Sequence, residues 1–281
     1  MFASKASVCV GITTFYNECL GISVPGLAKL GRNVFLIIYN DNPESRVCRR
    51  QIRKMGYRGP LHIINGTAQV GQLQARLEIV RAVKNMGLDA KWFVFADDDD
   101  ILVDVTVPNV GENNFAIMQN MVVMRTRLVD VLRVMHNSAN YVVDNENVCL
   151  VRPHMGLAGT LVRMDYVFQM ADLLEKCMGD IAEIDAGLGV RPPVDMMMWA
   201  ALNLVARQSN EFATPIYLDR VNYIATDIDT AREKYGMRIP CGKNAATQMR
   251  RVIEKYVRVF QRAMATDIAT GHDIAQETEK L

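Results

Sequence analysis

The stretch Trp92-Phe93-Val94-Phe95-Ala96-Asp97-Asp98-Asp99-Asp100 decides how this chain is read. Five apolar residues with three aromatic rings read as a strand buried on both faces, and four carboxylates follow at its carboxyl end. A bare acidic run caps a turn or a helix as readily as it binds anything, because Asp favours both settings. Here the preceding strand holds the carboxylates together, and their mutual repulsion is costly unless a divalent cation offsets it. Carboxylate oxygens suit Mg2+ or Mn2+, ions that keep open positions for substrate phosphates.

The residues before this stretch alternate in type. Val8 to Thr13, Val34 to Tyr39 and Leu61 to Ile64 read as strands. Between them stand a helix from Glu18 to Leu30 interrupted near Pro25, a basic helix from Glu44 to Lys54, and a helix from Gln69 to Val83. The last carries Val70, Leu73, Leu77, Val80 and Val83 at three-and-four spacing. Repeated β-α-β predicts a mainly parallel sheet flanked by helices, with ligands outside the carboxyl ends of its strands. Those ends supply Thr13-Thr14-Phe15-Tyr16-Asn17-Glu18 and Asn40-Asp41-Asn42-Pro43. An aromatic ring, an amide or carboxylate and a metal-binding carboxylate along one sheet edge suit a base, a ribose and a diphosphate.

The second half is less regular. A Met-rich helix is expected from Phe115 to Met135, with strands at Tyr141 to Val143, Val148 to Val151 and Gly156 to Val162. Helices from Asp165 to Met178 and Val194 to Val205 flank Gly187-Leu188-Gly189, and a basic amphipathic helix from Ala245 to Ala263 precedes a polar tail. No repeat or Pro/Gly/Ser linker divides the chain. A single domain is expected, with a nucleotide-binding half over 1–104, an acceptor-side half over 105–240, and a C-terminal basic helix and tail over 241–281.

With 32 Lys+Arg against 31 Asp+Glu and 50% hydrophobic residues, the 281-residue chain can bury a full core, which excludes disorder; its net charge of +1 argues against coating nucleic acid. The six cysteines are scattered, without Cys-x-x-Cys or a close Cys/His pair, so no zinc site is expected. The amino terminus runs directly into Val8-Cys9-Val10-Gly11-Ile12, too short for a secretory apolar region. Apolar stretches also fall short of the roughly 20 residues that span a bilayer. A reducing, cytoplasmic setting is the expectation.

At this point the sequence resembles a known family. Val10-Gly11-Ile12-Thr13-Thr14-Phe15-Tyr16-Asn17-Glu18 is similar to the opening strand of the inverting family-two glycosyltransferases of the GT-A (Rossmann-like) fold, and Ile37-Ile38-Tyr39-Asn40-Asp41-Asn42 to their second strand. Gly71-Gln72-Leu73-Gln74-Ala75-Arg76 resembles the family's glycine-to-Ala-Arg helix, and Phe95-Ala96-Asp97-Asp98-Asp99-Asp100 its Asp-x-Asp (DXD) element. The four occur in order over about the first 105 residues. The resemblance implies that Thr14, Tyr16 and Asp41 surround the nucleobase, that Arg76 faces the nucleotide, that Asp97 or Asp98 meets the ribose, and that Asp99, with Asp97, binds the metal. Thr14 stands where many members have proline, and Leu77 where asparagine is common.

Further along, His154-Met155-Gly156-Leu157-Ala158-Gly159-Thr160-Leu161-Val162-Arg163 resembles the family's glycine-rich segment, which lines the donor sugar and acceptor. Val194-Asp195-Met196-Met197-Met198-Trp199 falls where the family places a Glu-Asp pair, which implies Asp195 as general base. The bland reading of Asp195 is a helix N-cap, and Asp185 is the substitute base. His272 is a further metal ligand by the same resemblance, against the bland reading of an exposed tail histidine. Arg250, Arg251, Lys255, Arg258 and Arg262 outnumber Glu254 on the C-terminal helix. That basic face is either solvated or in contact with an anionic membrane surface or a phosphate-bearing acceptor.

The resemblance implies an Mn2+- or Mg2+-dependent transfer of a sugar, with inversion, from a nucleotide-diphosphate sugar donor to a hydroxyl-bearing acceptor: glycan, lipid-linked glycan, protein or modified base. Two alternatives stand beside it. A nucleotidyltransferase shares the α/β sheet and acidic metal ligands, but the Gly-x-Gly-x-x-Arg loop it needs after the first strand is replaced by Thr13-Thr14-Phe15-Tyr16. A non-catalytic sugar-nucleotide-binding protein would keep the fold and lose the base.

Overall fold

The computed structural model describes residues 7–31, 33–124, 148–151, 156–186, 194–226 and 245–278. Their strands are β1 (Val8–Thr14), β2 (Val34–Asn40), β3 (Leu61–Asn65), β4 (Trp92–Asp97), β5 (Ile101–Leu102), β6 (Asn114–Met124), β7 (Val148–Val151), β8 (Leu161–Arg163) and β9 (Thr214–Thr226). The helices are α1 (Leu20–Lys29), α2 (Arg49–Lys54), α3 (Gln72–Met86), α4 (Met164–Lys176), α5 (Met178–Ala186), α6 (Val194–Ser209) and α7 (Ala245–Thr278).

One mixed sheet runs in the order β3-β2-β1-β4-β8-β6-β9-β5, with β7 also paired to β6. From β3 to β4 every pairing is parallel, as the alternating elements predict. Beyond β4 the sheet turns mixed: β8 is antiparallel to both β4 and β6, β9 is parallel to β6, and β5 is antiparallel to β9. Successive strand residues separate into two cores. Cys9, Ile37, Phe93 and Phe95 face α3, α4, α6 and α7, whereas Val10, Ile12, Leu36, Ile38 and Val94 face α1 and α2. Helices therefore cover both faces, which is why these strands read as continuous apolar runs. Gly11 belongs to this packing, since a Cβ there would stand 2.7 Å from the Phe93 ring.

Three expectations are corrected. The region from Phe115 expected to be helical is strand β6 over its described part, up to Met124; the remainder to Met135, like Tyr141–Val143 and Gly187–Gly189, lies outside the described residues. Met118, Met121 and Met124 recur at a helix-like interval of three. The strand is nevertheless lined on one edge by β9 and on the other by β7 and β8, and it buries Phe115, Ala116, Ile117 and Val122 without alternation. Helix α1 is not interrupted at Pro25 but passes through it, held by the buried Leu20, Val24 and Leu27. The C-terminal helix does not stop at Ala263 but continues to Thr278. Strand β9 was not anticipated at all.

Candidate functional site

The chain leaves β1 for β2 and β3 on one side, then returns to place β4 on the other. The strand order thus reverses between β1 and β4, and in open α/β sheets ligands bind in the crevice at such a switch point. Thr13 and Thr14 end β1 there, and Asp97 ends β4 directly beside Thr13. The acidic run is a tight turn, closed by the Asp100 N–H donating to the Asp97 carbonyl at 3.3 Å, and the chain then enters β5.

Arg76, in the second turn of α3, ties this turn to the second half of the chain. Its side chain is 1% exposed, and one guanidinium nitrogen donates to Asp97 at 2.9 Å while the other donates to Asp195 at 2.6 Å, 119 residues further along. The guanidinium also lies over the Phe95 ring, 5.3 Å from its centroid. Burial works against the charge on Arg76, but Asp195 and Asp97 outweigh it and hold the group protonated. Gln72 adds a longer contact of 3.5 Å to Asp97. The bonds that Arg76 and Gln72 donate to Asp97, and the one that Arg76 donates to Asp195, all fall on Oδ1. Asp195 opens helix α6 with its side chain 24% exposed, while Arg76 beneath it is shielded.

Thr14, almost fully buried, donates its hydroxyl to Asp98 at 2.5 Å and so joins the ends of β1 and β4. Burial pushes the Asp98 carboxyl up to about 8, against the Thr14 bond and with the charges of Asp99 and Asp97 adding to the rise; burial, then Asp97, pushes Asp99 up to about 6. Carboxyls crowded in this way gain most from a cation. Asp41 sits at the end of β2 and accepts the backbone N–H groups of Val70 at 2.7 Å and Gly71 at 2.9 Å. Since Gly71 has no capping side chain of its own, Asp41 caps α3 from outside, and the negative charge suits the helix amino terminus. Tyr16, half-buried in the loop after β1, meets Phe15 edge-on with ring centroids 4.9 Å apart.

Tyr223, on the unanticipated strand β9, underlies the acidic turn. Its oxygen accepts the Asp97 N–H at 2.9 Å, and the hydroxyl is held well above the ordinary tyrosine range by burial and then by Asp100 and Asp97. The glycine-rich segment closes over the same ring. Gly159 donates its N–H to the Phe95 carbonyl at 2.8 Å, has φ +74°, and would place a Cβ 2.7 Å from Tyr223. Gly159→Ala is therefore expected to lower stability by about 3 kcal/mol, adding overpacking to left-handed backbone strain. Thermal denaturation would show this as a fall of several degrees, and an unchanged midpoint would refute the close approach. The only signal for Tyr223 in the sequence was the β-branched and aromatic run Val221 to Ile224.

His272 lies on α7, and its side chain is outside the described residues. Asp185 is bonded to the Tyr256 hydroxyl, between α5 and α7. Among the described residues no three His, Cys, Asp or Glu side chains converge on one metal position. The donor chemistry of the acidic turn still fits an Mg2+-like ion, which is commonly held by one or two carboxylates together with substrate phosphates rather than by an all-protein cage. Also among the described residues, no helix is long and apolar enough to cross a membrane.

No family model and no curated protein matches the chain. Among solved structures it is similar to a mannosyltransferase from Pyrobaculum calidifontis in complex with GDP-Man and Mn2+, at 11% identity and a TM-score of 0.39 over 96% of this chain and 80% of that one. It is also similar to the glycosyltransferase GlyE of Streptococcus pneumoniae TIGR4, at 12% identity and a TM-score of 0.36, over 92% of this chain and 64% of that one. In the apo form of GlyE the match covers 50% of the longer chain, with a TM-score of 0.33.

Proposed function

We propose that this chain is a cytoplasmic glycosyltransferase that moves a sugar from a nucleotide-diphosphate sugar to an acceptor hydroxyl with inversion. One observation carries the reading: a single buried guanidinium holds both Asp97, at the switch point where a donor nucleotide belongs, and Asp195, at the start of a helix from the other half. Tyr16 and Thr14 flank the base, and Asp41 shapes its pocket by holding the loop before α3. Asp97 and Asp98 reach the ribose, while Arg76, enclosed beneath, positions Asp97 and Asp195 without touching the nucleotide. Asp195 takes the proton of the acceptor hydroxyl as its oxygen bonds to the anomeric carbon and the bond from that carbon to the diphosphate breaks. Attack on the face opposite the departing diphosphate inverts the configuration.

Asp99, with Asp97 and His272 as further ligands, would hold Mn2+ or Mg2+. A bound cation there supplies neutralisation of the charge that develops on the leaving diphosphate. In a thermal-shift panel of nucleoside diphosphates, the matching one with Mn2+ is expected to raise the melting temperature, about 2.7 kcal/mol of stabilisation at a hundred times Kd. Chelation with EDTA should remove the effect. Asp99→Ala should abolish it while leaving the ligand-free midpoint unchanged, and a variant that keeps the full Mn2+-dependent shift would overturn the metal assignment.

A further inference from the structure

Between the first turn of α6 and the C-terminal helix lies an open cleft of about 650 Å3, floored by Met196, Ile253 and Val257 and rimmed by Arg250 and Arg258. A second cleft of about 780 Å3 shares Arg258 and Gln261 with it and continues along α7, with Lys255 and Arg262 on one wall and Asp180 and Glu183 of α5 on the other. The two clefts meet at these shared residues, and we treat them as one groove. Its near end is Met196, 38% exposed and next in the chain to Asp195.

The groove's charge is unevenly compensated. Arg250 pairs with Glu254 at 3.2 Å, but among the described residues Lys255, Arg258 and Arg262 make no ion pair. Asp180 and Glu183 on the facing wall offset part of this charge, and Arg258, which lines both clefts, presents beside the apolar floor a fork that matches phosphate oxygens.

Because Met196, next in the chain to Asp195, lines this groove, we infer that the groove seats the acceptor, and that the acceptor carries a phosphate group beside an apolar segment. The phosphate rests on Arg258 and its neighbours, the apolar segment lies over Met196, Ile253 and Val257, and the reactive hydroxyl points toward Asp195. The inference rests on the reading of Asp195 as the acceptor-side base, but binding in the groove requires neither donor nor turnover.

The test is calorimetric titration of the full-length protein, without donor, against octyl phosphate, octanol and inorganic phosphate. Saturable binding of octyl phosphate is expected, with the other two at least tenfold weaker. Arg258→Ala, at an exposed position, should weaken octyl phosphate about tenfold and leave Mn2+-dependent nucleoside diphosphate binding unchanged. Equal binding of octanol, or octyl phosphate binding unaltered in Arg258→Ala, overturns the inference. So does binding to phosphatidylserine vesicles with none to octyl phosphate, which would make the basic face a membrane contact. Octyl phosphate binding in a protein that binds no nucleoside diphosphate would leave the groove standing and remove the glycosyltransferase reading instead.

Discussion

Arg76→Met is expected to destabilise the protein by about 3 kcal/mol, at the lower end of the range for removing one partner of a buried ion pair. The lower end applies because Asp97 and Asp195 are 28% and 24% exposed, so water can partly hydrate the carboxylates left behind. At this chain length the loss corresponds to roughly 5 °C in melting temperature. Methionine fills similar volume, so the effect reports the charge rather than a cavity. Arg76→Lys should recover only part of it, because one ammonium cannot keep both the 2.9 Å bond to Asp97 and the 2.6 Å bond to Asp195. Differential scanning calorimetry of the two variants would decide the matter: a methionine variant as stable as the parent would mean that the guanidinium does not brace the site.

This arrangement also shows where the sequence was legible. Strands β1 to β4 were read within a residue or so of their ends because burial on both faces leaves unbroken apolar runs, such as Val34 to Tyr39. Thr14, Asp41 and Asp97–Asp100 were singled out because the ends of parallel strands are where ligands bind. The partners of those residues were not legible. The motif Gly71–Arg76 marks Arg76, but nothing local marks its bond to Asp195, 119 residues away, and nothing near Asp41 marks the Val70 and Gly71 amides that it accepts. Strand β9 escaped notice because Pro215 and the pair Asp219-Arg220 interrupt its apolar pattern. Its pairing with β6 absorbs them through register shifts between Asn114 and Ala116 and between Met118 and Met121. In β6, burial on both faces erased the alternation that marks a half-buried strand, and methionines at intervals of three supplied a false helical period.

Asp195→Asn should lower kcat by about a hundred- to ten-thousand-fold, the usual contribution of a positioned general base, with little change in the donor KM. The amide keeps an oxygen for Arg76 to donate to, so the geometry that joins α3 to α6 survives. What it loses is the second carboxylate oxygen, to which we assign the proton transfer. The donor nucleotide is assigned to β1, β2 and the acidic turn, so its binding should be untouched; a matching rise in donor KM would place Asp195 in the donor site instead. Asp185→Asn provides the control, because Asp185 is bonded to Tyr256 at the α5–α7 contact and touches neither Arg76 nor the acidic turn in any bond described above. Its kcat should stay within a few fold of the parent. If Asp195→Asn kept full turnover while Asp185→Asn lost it, the base would have to be reassigned to the α5 carboxylate. If neither changed the rate, the Arg76–Asp195 bond would be a brace between the two halves and no part of the chemistry.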